Sequence, residues 1–291
     1  MAKIAIVTDS NSGITQEQGK ELGIFVLPMP FMIDEVTYFE DVDLSAEEFY
    51  QKQTSGSNIM TSQPTPDAVM QLWDDILKDY DEIVHIPMSS GLSGSCESAM
   101  MLAQEYNGRV QVVNNQRISV TQRQSAIDAR ALADRGLNAA AIKERLEADK
   151  FNSSIYIMLD TLVYLKKGGR ITPAAAALGT ILKIKPVLQI QGEKLDAFAK
   201  ARTLVQGKSI MVNAIKSDMQ NRYGMLTDGT GYYLSMAHTQ NEEAAKAWRE
   251  EVLKEFPAAN IYIDRLPLSI ATHIGPGAIA ITCTKKMDYD V

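Results

Sequence analysis

Residues 82–106 have the sequence EIVHIPMSSGLSGSCESAMMLAQEY, in which a mainly apolar run is followed by a loop dense in serine and glycine and then by a helical pattern. Ile83–Pro87 is short and mainly apolar, as expected of a buried strand. Ser93–Tyr106 contains helix formers whose apolar residues fall on one side. This order predicts the strand–loop–helix unit of an α/β fold.

The loop between this strand and this helix brings hydroxyls and bare backbone N–H groups to a helix N-terminus, through Ser89, Ser90, Gly91, Ser93, Gly94 and Ser95. Such a position favours an anion, because unpaired amides and the positive end of the helix dipole converge there. In open α/β sheets, ligands also bind beyond the carboxyl ends of the strands. A helix cap with glycines for a tight turn explains the same residues equally well, so the pattern alone leaves both interpretations open.

The loop does not match two familiar catalytic motifs. A P-loop requires a lysine directly after its second glycine, and no lysine follows Gly94. The nucleophile elbow of hydrolases has the pattern Gly-x-Ser-x-Gly, whereas the stretch that starts at Gly91 ends in Ser95. Ser93 is therefore better suited to donating a hydrogen bond than to acting as a nucleophile.

Composition indicates a globular protein with a full core, since the 291-residue chain has 45% hydrophobic and 22% charged residues. The net charge of −7 and the isoelectric point near 5.1 argue against nucleic acid or an anionic membrane as the main partner. Ile4–Val7 is too short for a signal-peptide core, and no apolar stretch approaches membrane-spanning length. The two cysteines, Cys96 and Cys283, are interpreted as unpaired thiols, so we expect a cytoplasmic protein.

The first half of the chain alternates between strand-like and helix-like segments, which predicts a mostly parallel sheet covered on both faces. Gly23–Met32 is interpreted as one strand region of this part. Ser45 is the predicted cap of one helix, and Thr65 with Pro66 marks the start of the next.

The pattern changes near residue 150. Beyond it, Lys185–Gln191 and Lys194–Lys200 flank Gly192-Glu193 in the manner of a β-hairpin, which introduces antiparallel pairing among α/β segments. We therefore predict two domains, an N-terminal α/β domain over residues 1–152 and a C-terminal α/β domain with a mixed sheet over residues 153–291.

Two further polar stretches stand outside the packing pattern. Thr61-Ser62-Gln63-Pro64 places two hydroxyls just before a helix, where local capping and ligand contact are equally good explanations. Residues 272–277, Thr-His-Ile-Gly-Pro-Gly, are predicted to form a loop that carries His273 towards the last strand. Its glycines allow close backbone approach to a ligand, although a lone loop histidine is more often structural or solvated. His85 lies in a predicted strand and is interpreted as a satisfied core residue. The three histidines lack metal-ligand spacing, so neither a metal nor another cofactor is expected.

A set of short motifs occurs in order over nearly the whole chain: Ile6–Ser10, Thr61–Pro64, Ser89–Ser95, Asp160–Leu162, Lys167–Ile171 and His273–Ala278. This set resembles the DegV family, bacterial proteins that bind long-chain fatty acids. The resemblance implies two α/β domains with a fatty acid such as palmitate, stearate or oleate at their interface. It also implies that hydroxyls hold the carboxylate and that the acyl chain is buried in the C-terminal domain.

The positions that match the family's fatty-acid site are Thr61, Ser62, Ser93, Gly94, His273 and Gly275. By this resemblance, the hydroxyl residues would donate to the carboxylate, and Arg170 would lie at the mouth of the site or in a partner contact. The protein would be a carrier without chemistry of its own. It would present its ligand to a separate cytoplasmic fatty acid kinase, which makes acyl phosphate for phospholipid synthesis.

One segment departs from the family pattern. Family members usually have an Asp-Ser pair after the strand that ends here at Val113, followed by a glycine-rich helix start. This chain has Asn114-Asn115-Gln116-Arg117 and then Thr121-Gln122-Arg123. Because amides and arginines replace a carboxylate and small residues, we expect altered helix packing and kinase docking here, more than an altered carboxylate site.

Two other functions compete with the carrier. An enzyme, either a serine hydrolase or a phosphotransferase, would use Ser93 and His273, although the missing elbow glycine and P-loop lysine argue against it. A regulatory subunit that senses lipid without delivering it would share the carrier's sequence features.

Overall fold

The protein is described by a computed structural model that covers residues 2–40, 42–178, 184–224 and 227–289. Its strands are β1 (Ile4–Asp9), β2 (Ile24–Leu27), β3 (Pro30–Ile33), β4 (Val36–Phe39), β5 (Ile59–Thr61), β6 (Glu82–Ile86), β7 (Val110–Val112), β8 (Ser153–Met158), β9 (Lys185–Ile190), β10 (Leu195–Ala201), β11 (Tyr232–His238), β12 (Ile261–Arg265) and β13 (Ile279–Lys285). Its helices are α1 (Gln16–Leu22), α2 (Ala46–Ser55), α3 (Pro66–Ile76), α4 (Ser95–Leu102), α5 (Val120–Asp134), α6 (Ala139–Ala148), α7 (Val163–Gly168), α8 (Pro173–Leu178), α9 (Leu204–Asn221), α10 (Glu242–Glu255) and α11 (Leu268–Ile274).

The N-terminal part contains the predicted parallel sheet. Its strand order is β2-β1-β6-β7, and every neighbouring pair is parallel, with Val7 opposite His85 in the β1–β6 register. Two separate cores cover its faces: one includes α5 and α6, and the other includes α3 and α4 around Trp73. Burial on both faces is the reason that β1 is apolar along most of its length.

The C-terminal part forms a six-stranded mixed sheet of order β10-β9-β8-β13-β11-β12. Only the β11–β12 pair is parallel, and the predicted hairpin is confirmed as the antiparallel β9–β10 pair. One face packs on α9 and α10 around Trp248. Together with the parallel sheet, this arrangement confirms the predicted α/β fold class.

A small third sheet corrects the prediction of a single strand over Gly23–Met32. That segment forms β2 in the parallel sheet and then β3, which pairs with β4 and β5 in a separate antiparallel sheet of order β4-β3-β5. Pro28, between the two strands, lacks the N–H that a continuous ladder requires. The consequence for the site is that the end of β5 carries Thr61 towards α11.

At most helix boundaries the structure agrees with the signals in the sequence. Ser45 forms the predicted capping box with Glu48, and the Thr65 hydroxyl accepts from the Ala68 amide at the start of α3. Two short helices were missed: α8, and α11, which occupies the segment predicted as the His273 loop. Seven residues or fewer give too little periodicity for a sequence pattern to separate a helix from a loop.

The predicted boundary at residue 152 falls immediately before β8. The parallel sheet uses residues 4–112, whereas the mixed sheet uses residues 153–285. After β13 the chain returns to the first part, where Met287 and Tyr289 pack beside α5 and α6. The division into residues 1–152 and 153–291 stays a prediction.

Residues 114–117, the segment that departs from the family pattern, are half-buried or buried. Arg117 is 2% exposed, and its guanidinium donates to the Asp149 carboxylate at 2.8 Å and to the Ser125 hydroxyl at 3.1 Å. The Asn115 amide also donates to Ser125, at 2.8 Å. Arg117 therefore ties the loop after β7 to the start of α5 and the end of α6.

Cys96 and Cys283 are free thiols in different cores, as predicted. Within the described ranges, no helix combines the length and apolar character needed to cross a membrane.

Candidate ligand-binding site

A large cavity lies between the loops that follow β1 and β6 and one face of the mixed sheet. Its empty volume is about 1090 Å³, including the solvent at its open mouth. It takes Met29, Met88 and Val120 from the N-terminal part, and most of its other apolar lining from residues beyond 153. The site thus draws on both predicted domains.

The floor of the cavity is apolar because the strands of the mixed sheet alternate. On β8, Ile155 and Ile157 face the cavity, whereas Tyr156 and Met158 face the core under α9. The neighbouring strands add the other apolar side chains of the same face, among them Ile190, Leu195, Ala237 and Ala280. This floor offers an alkyl chain a mainly nonpolar surface, with Thr282 on β13 as a polar side chain beside Ile155.

The mouth of the cavity gathers six of the predicted positions, namely Thr61, Ser62, Ser93, Gly94, Arg170 and His273. Ser62, Gly94 and Arg170 are exposed, and the other three are half-buried. They come from the end of β5, the loop after β6, the segment after α7, and α11. Residues far apart in sequence therefore meet at one polar rim.

Thr61 and His273 form a pair at this rim, with the Thr61 hydroxyl 2.8 Å from His273 Nε2. Burial, reinforced by the positive charge of Arg170, lowers the pKa of His273 to about 4. The imidazole is therefore neutral at pH 7 and carries one donor and one acceptor nitrogen. The other nitrogen, Nδ1, is buried without a hydrogen-bond partner among the described residues.

The serine loop has two sets of contacts: Ser93 and Gly94 lie at the cavity, whereas Ser89 contacts the turn between β9 and β10. Ser93 accepts a hydrogen bond from the Ser95 amide at 3.2 Å, so its own proton is free to donate into the cavity. Gly94 occupies the cap position of α4 and supplies no side-chain cap, so the Ser93 hydroxyl, which accepts from the Ser95 amide, is the side chain that serves this helix start. Ser89 instead donates to the Glu193 carbonyl at 2.9 Å, in the turn between β9 and β10.

Gly275 is the predicted site residue that does not line the cavity. It follows α11 with φ +78°, and a Cβ added there would lie 2.2 Å from Tyr164 Cδ2. His273 itself lies in the last turn of α11, which corrects the predicted Gly-Pro-Gly loop position. Arg170 lies at the rim, where its guanidinium donates to the Gly168 carbonyl at 2.5 Å.

Several lining residues had no sequence signal of their own. Asn11, Ser119 and Ser269 line the cavity in addition to the predicted rim. Gly168 touches His273, because a Cβ added to it would lie 2.0 Å from His273 Nδ1. Gly168 belongs to the Lys167–Ile171 motif, but only the packing of α7 on α11 reveals this contact.

The rim lacks the geometry of a hydrolase. The hydrogen bond of His273 goes to Thr61 rather than to Ser93, and no carboxylate among the described residues orients Nδ1. The described residues also contain no group of three His, Cys, Asp or Glu side chains placed to hold a metal ion.

His85 is buried as predicted but is not satisfied. Both of its ring nitrogens lack hydrogen-bond partners within the described part of the chain, and its ring packs edge-on against Trp73 at 5.6 Å. Burial lowers the pKa of His85 to about 3, so the ring is neutral. The sequence could not show this, because the period-two pattern of a strand gives burial but not hydrogen-bond partners.

Comparisons with known proteins agree on one family. The family model for uncharacterised DegV proteins matches residues 3–286. A DegV domain-containing protein from Mycoplasmopsis pulmonis is 31% identical over 299 residues, which cover 99% of this chain and 97% of the relative.

Two solved structures have the same fold over almost the whole chain. A DegV family protein from Thermus thermophilus, described by its fatty acid binding, has a TM-score of 0.89 at 29% identity, covering 98% of this chain and 100% of that one. DegV from Bacillus subtilis, a fatty acid binding protein, has a TM-score of 0.86 at 28% identity, with the same coverage of both chains. The chain described here belongs to the DegV family.

Proposed function

We propose that this protein binds a long-chain fatty acid such as palmitate, stearate or oleate in the cavity, with the carboxylate at the rim and the acyl chain on the apolar floor. The observation that carries the proposal is the polarity of the cavity, which has a floor mainly of isoleucine, leucine and alanine side chains and a rim of hydrogen-bond donors that are uncharged except for Arg170. The relatives described as fatty acid binding support the same ligand class.

The acyl chain supplies most of the binding free energy. Burial contributes about 0.8 kcal/mol per methylene, so the fourteen methylenes of palmitate contribute on the order of 11 kcal/mol before ordering costs. A hydrogen bond to the charged head group adds about 1.5–3 kcal/mol. The floor therefore sets the affinity, and the rim sets which end of the ligand faces outwards.

The rim holds the carboxylate through donors whose protons are not already used. Ser93 retains a free hydroxyl proton and is the principal donor. The Ser62 hydroxyl donates to the Gln63 carbonyl at 3.0 Å, so it would have to turn away from that carbonyl to reach the ligand. We assign the His273 proton to Nε2, because a proton on Nδ1 would be a buried donor without an acceptor. Nε2 then donates to the Thr61 hydroxyl, which is left free to donate to the ligand.

The protein acts as a carrier rather than as an enzyme, and a separate cytoplasmic fatty acid kinase forms the acyl phosphate. The absence of a nucleophile–base pair at the rim supports the carrier role. Arg170 is exposed beside the mouth, where it can meet a partner that approaches the bound carboxylate. Two unpaired, buried thiols support a reducing compartment.

The test is to purify the recombinant protein, extract it with organic solvent and identify bound lipid by mass spectrometry. We expect fatty acid in the extract, and uptake of labelled palmitate after delipidation. Ser93→Ala is expected to weaken palmitate binding about tenfold, whereas Ser217→Ala, on the exposed face of α9, leaves it unchanged. A protein without extractable or added fatty acid would contradict the proposal.

The carrier role needs a second assay, in which the loaded protein is combined with a bacterial fatty acid kinase and ATP. Acyl phosphate is expected only when both proteins are present. Acyl phosphate formed by the carrier alone would show that it is an enzyme, and binding without any transfer would favour a lipid sensor.

A further inference from the structure

A second group of polar side chains lies inside the cavity, away from the rim. Asn11, Ser119 and Ser269 all line the cavity, yet they are only 1%, 5% and 7% exposed. Polar groups this deep in a mainly nonpolar cavity, which Thr282 also lines from β13, are costly unless they have hydrogen-bond partners. Their arrangement therefore indicates what the cavity is built to hold.

The three residues are joined to one another. The Ser119 amide donates to the Asn11 carbonyl at 2.9 Å, and the Ser269 hydroxyl donates to the side-chain oxygen of Asn11. The Asn11 side-chain amide contacts Met88 Sδ at 3.0 Å, and a thioether is a weak acceptor. The polar atoms that remain underused in this cluster are an amide N–H of Asn11 and the Ser119 hydroxyl.

Ser119 is held in an uncommon conformation. Its φ of +56° and ψ of −139° fall in a region that glycine usually occupies, although the residue carries a side chain. It precedes α5 at the cap position, where a serine normally accepts from the helix amides, but its side chain makes no cap. The Ser119 hydroxyl makes no hydrogen bond among the described residues, so this hydroxyl is available to a molecule in the cavity.

The cluster lies about one helical turn from the head-group rim. Ser269 and His273 are four residues apart on α11, which corresponds to a rise of about 6 Å along the helix. Residues at this spacing lie on the same face of a helix, and both line the cavity. A chain whose carboxylate is at the rim would therefore pass the cluster within a few carbons of its head group.

A plain alkyl chain suits this position poorly. It would cover the Ser119 hydroxyl and would offer it no hydrogen bond. A hydroxyl on the ligand can accept from the Asn11 amide and share one hydrogen bond with the Ser119 hydroxyl, in which either oxygen acts as the donor. Sites built to bind a ligand hydroxyl discriminate against the analogue that lacks it, because their own polar groups are then left unpaired.

We propose that Asn11, Ser119 and Ser269 form a hydroxyl-binding subsite, and that the preferred ligand is a long-chain fatty acid with a hydroxyl a few carbons from its carboxylate. The proposal rests on the proposed function, since it assumes that the carboxylate lies at the rim. It narrows the substrate class from fatty acids in general to hydroxylated ones.

The test compares three ligands of equal chain length by calorimetry on the delipidated protein: palmitate, a hydroxypalmitate with its hydroxyl near the carboxylate, and one with its hydroxyl near the methyl end. We expect the first hydroxypalmitate to bind about five- to tenfold more tightly than palmitate, and the second to bind more weakly. Ser119→Ala should abolish the preference while palmitate binding is kept or improved. Ser119→Gly, which also relieves the backbone, should do the same and guards against a folding defect.

The outcomes separate the two proposals. If palmitate binds but the near-carboxylate hydroxyl gives no advantage, or if Ser119→Ala leaves the preference intact, the subsite is wrong and the fatty-acid function stands. If none of the three ligands binds, the proposed function itself fails. Ser217→Ala is the surface control and should leave all three affinities unchanged.

Discussion

Gly168 lies directly against the His273 ring: a Cβ added to the glycine would lie 2.0 Å from Nδ1 and 2.8 Å from Cε1. The contact joins the end of α7 to the last turn of α11, and it leaves Nδ1 without room for a hydrogen-bond partner. Gly168 thereby sets the position of a ring whose other nitrogen reaches Thr61. It is a positioning residue for the rim rather than a ligand contact.

The first prediction concerns this contact. Gly168→Ala should displace the His273 ring, break its hydrogen bond to Thr61 and weaken fatty acid binding by about tenfold, equivalent to ~1.4 kcal/mol. Calorimetry with palmitate measures the loss. Global stability should change little, because alanine is the better helix former by about 1 kcal/mol and offsets part of the strain.

Gly169→Ala is the matched control. Gly169 has φ +68°, so alanine is strained there too, but an added Cβ meets no atom within 4 Å. It should lower stability without a comparable effect on binding. Equal losses of affinity in the two variants would show that Gly168 matters for the local backbone alone.

The second prediction concerns chain length. Ala280 lies on β13 beside Ala237 and Ile157, and the three small or branched side chains shape the cavity floor. Ala280→Leu should fill part of the cavity and shift the preference towards shorter acids, since overpacking costs about 1–3 kcal/mol for the longest ones. Competition among saturated acids of increasing length measures the shift. Ala280→Cys adds a single sulfur atom and should shift it far less; an unchanged length profile in the leucine variant would place the chain elsewhere.

The third prediction concerns acid sensitivity. Burial lowers the pKa of His85 from 6.5 to about 3, so between these values the unfolded chain binds a proton that the folded chain does not. Stability contributed by the neutral ring is therefore present above pH 6.5 and is lost as pH falls, by about 3 kcal/mol on reaching pH 4. Urea unfolding at pH 7 and pH 4 should show a smaller decrease for His85→Leu than for the wild type.

Other buried groups titrate in the same pH range, so only the difference between variants isolates His85. Burial raises the pKa of Asp9, which acts in the opposite sense, because its folded form takes up a proton more readily than the unfolded one. His238→Gln is the control for loss of a less buried histidine. Parallel acid profiles for His85→Leu and the wild type would mean that the ring is protonated in the folded protein.

The fourth prediction concerns the buried guanidinium of Arg117. Arg117→Met should destabilise the protein by about 3 kcal/mol, because it leaves the Asp149 carboxylate, whose side chain is 14% exposed, without its cation. Denaturant midpoints measure the loss. Lys246→Met removes ion pairs to Glu242 and Glu243 in which every side chain is more than half exposed, so it should have little effect. The Asn152 side-chain amide also donates to the Asp149 carboxylate, at 2.6 Å. A change no larger than that of the control would show that Asp149 does not need the guanidinium.

Local structure and the residue types at the rim follow from signals within short stretches of the chain. Continuous apolar runs predicted the buried parallel strands, and the caps Ser45 and Thr65 predicted helix starts. Each of these signals is contained in the few residues of the element that it predicts. The motifs at Thr61, Ser93 and His273 indicated a polar site without its geometry.

Tertiary structure alone decided how these pieces meet. The Thr61–His273 pair joins residues 212 positions apart, and the contact between Gly168 and His273 joins two helices that neither segment specifies locally. Such contacts depend on the packing of whole elements, so no spacing in the chain encodes them. For the same reason, the sequence could not predict three features: helix α11, the unsatisfied His85 and the cluster around Ser119. Each is defined by what lies across the cavity or core rather than by its neighbours in sequence.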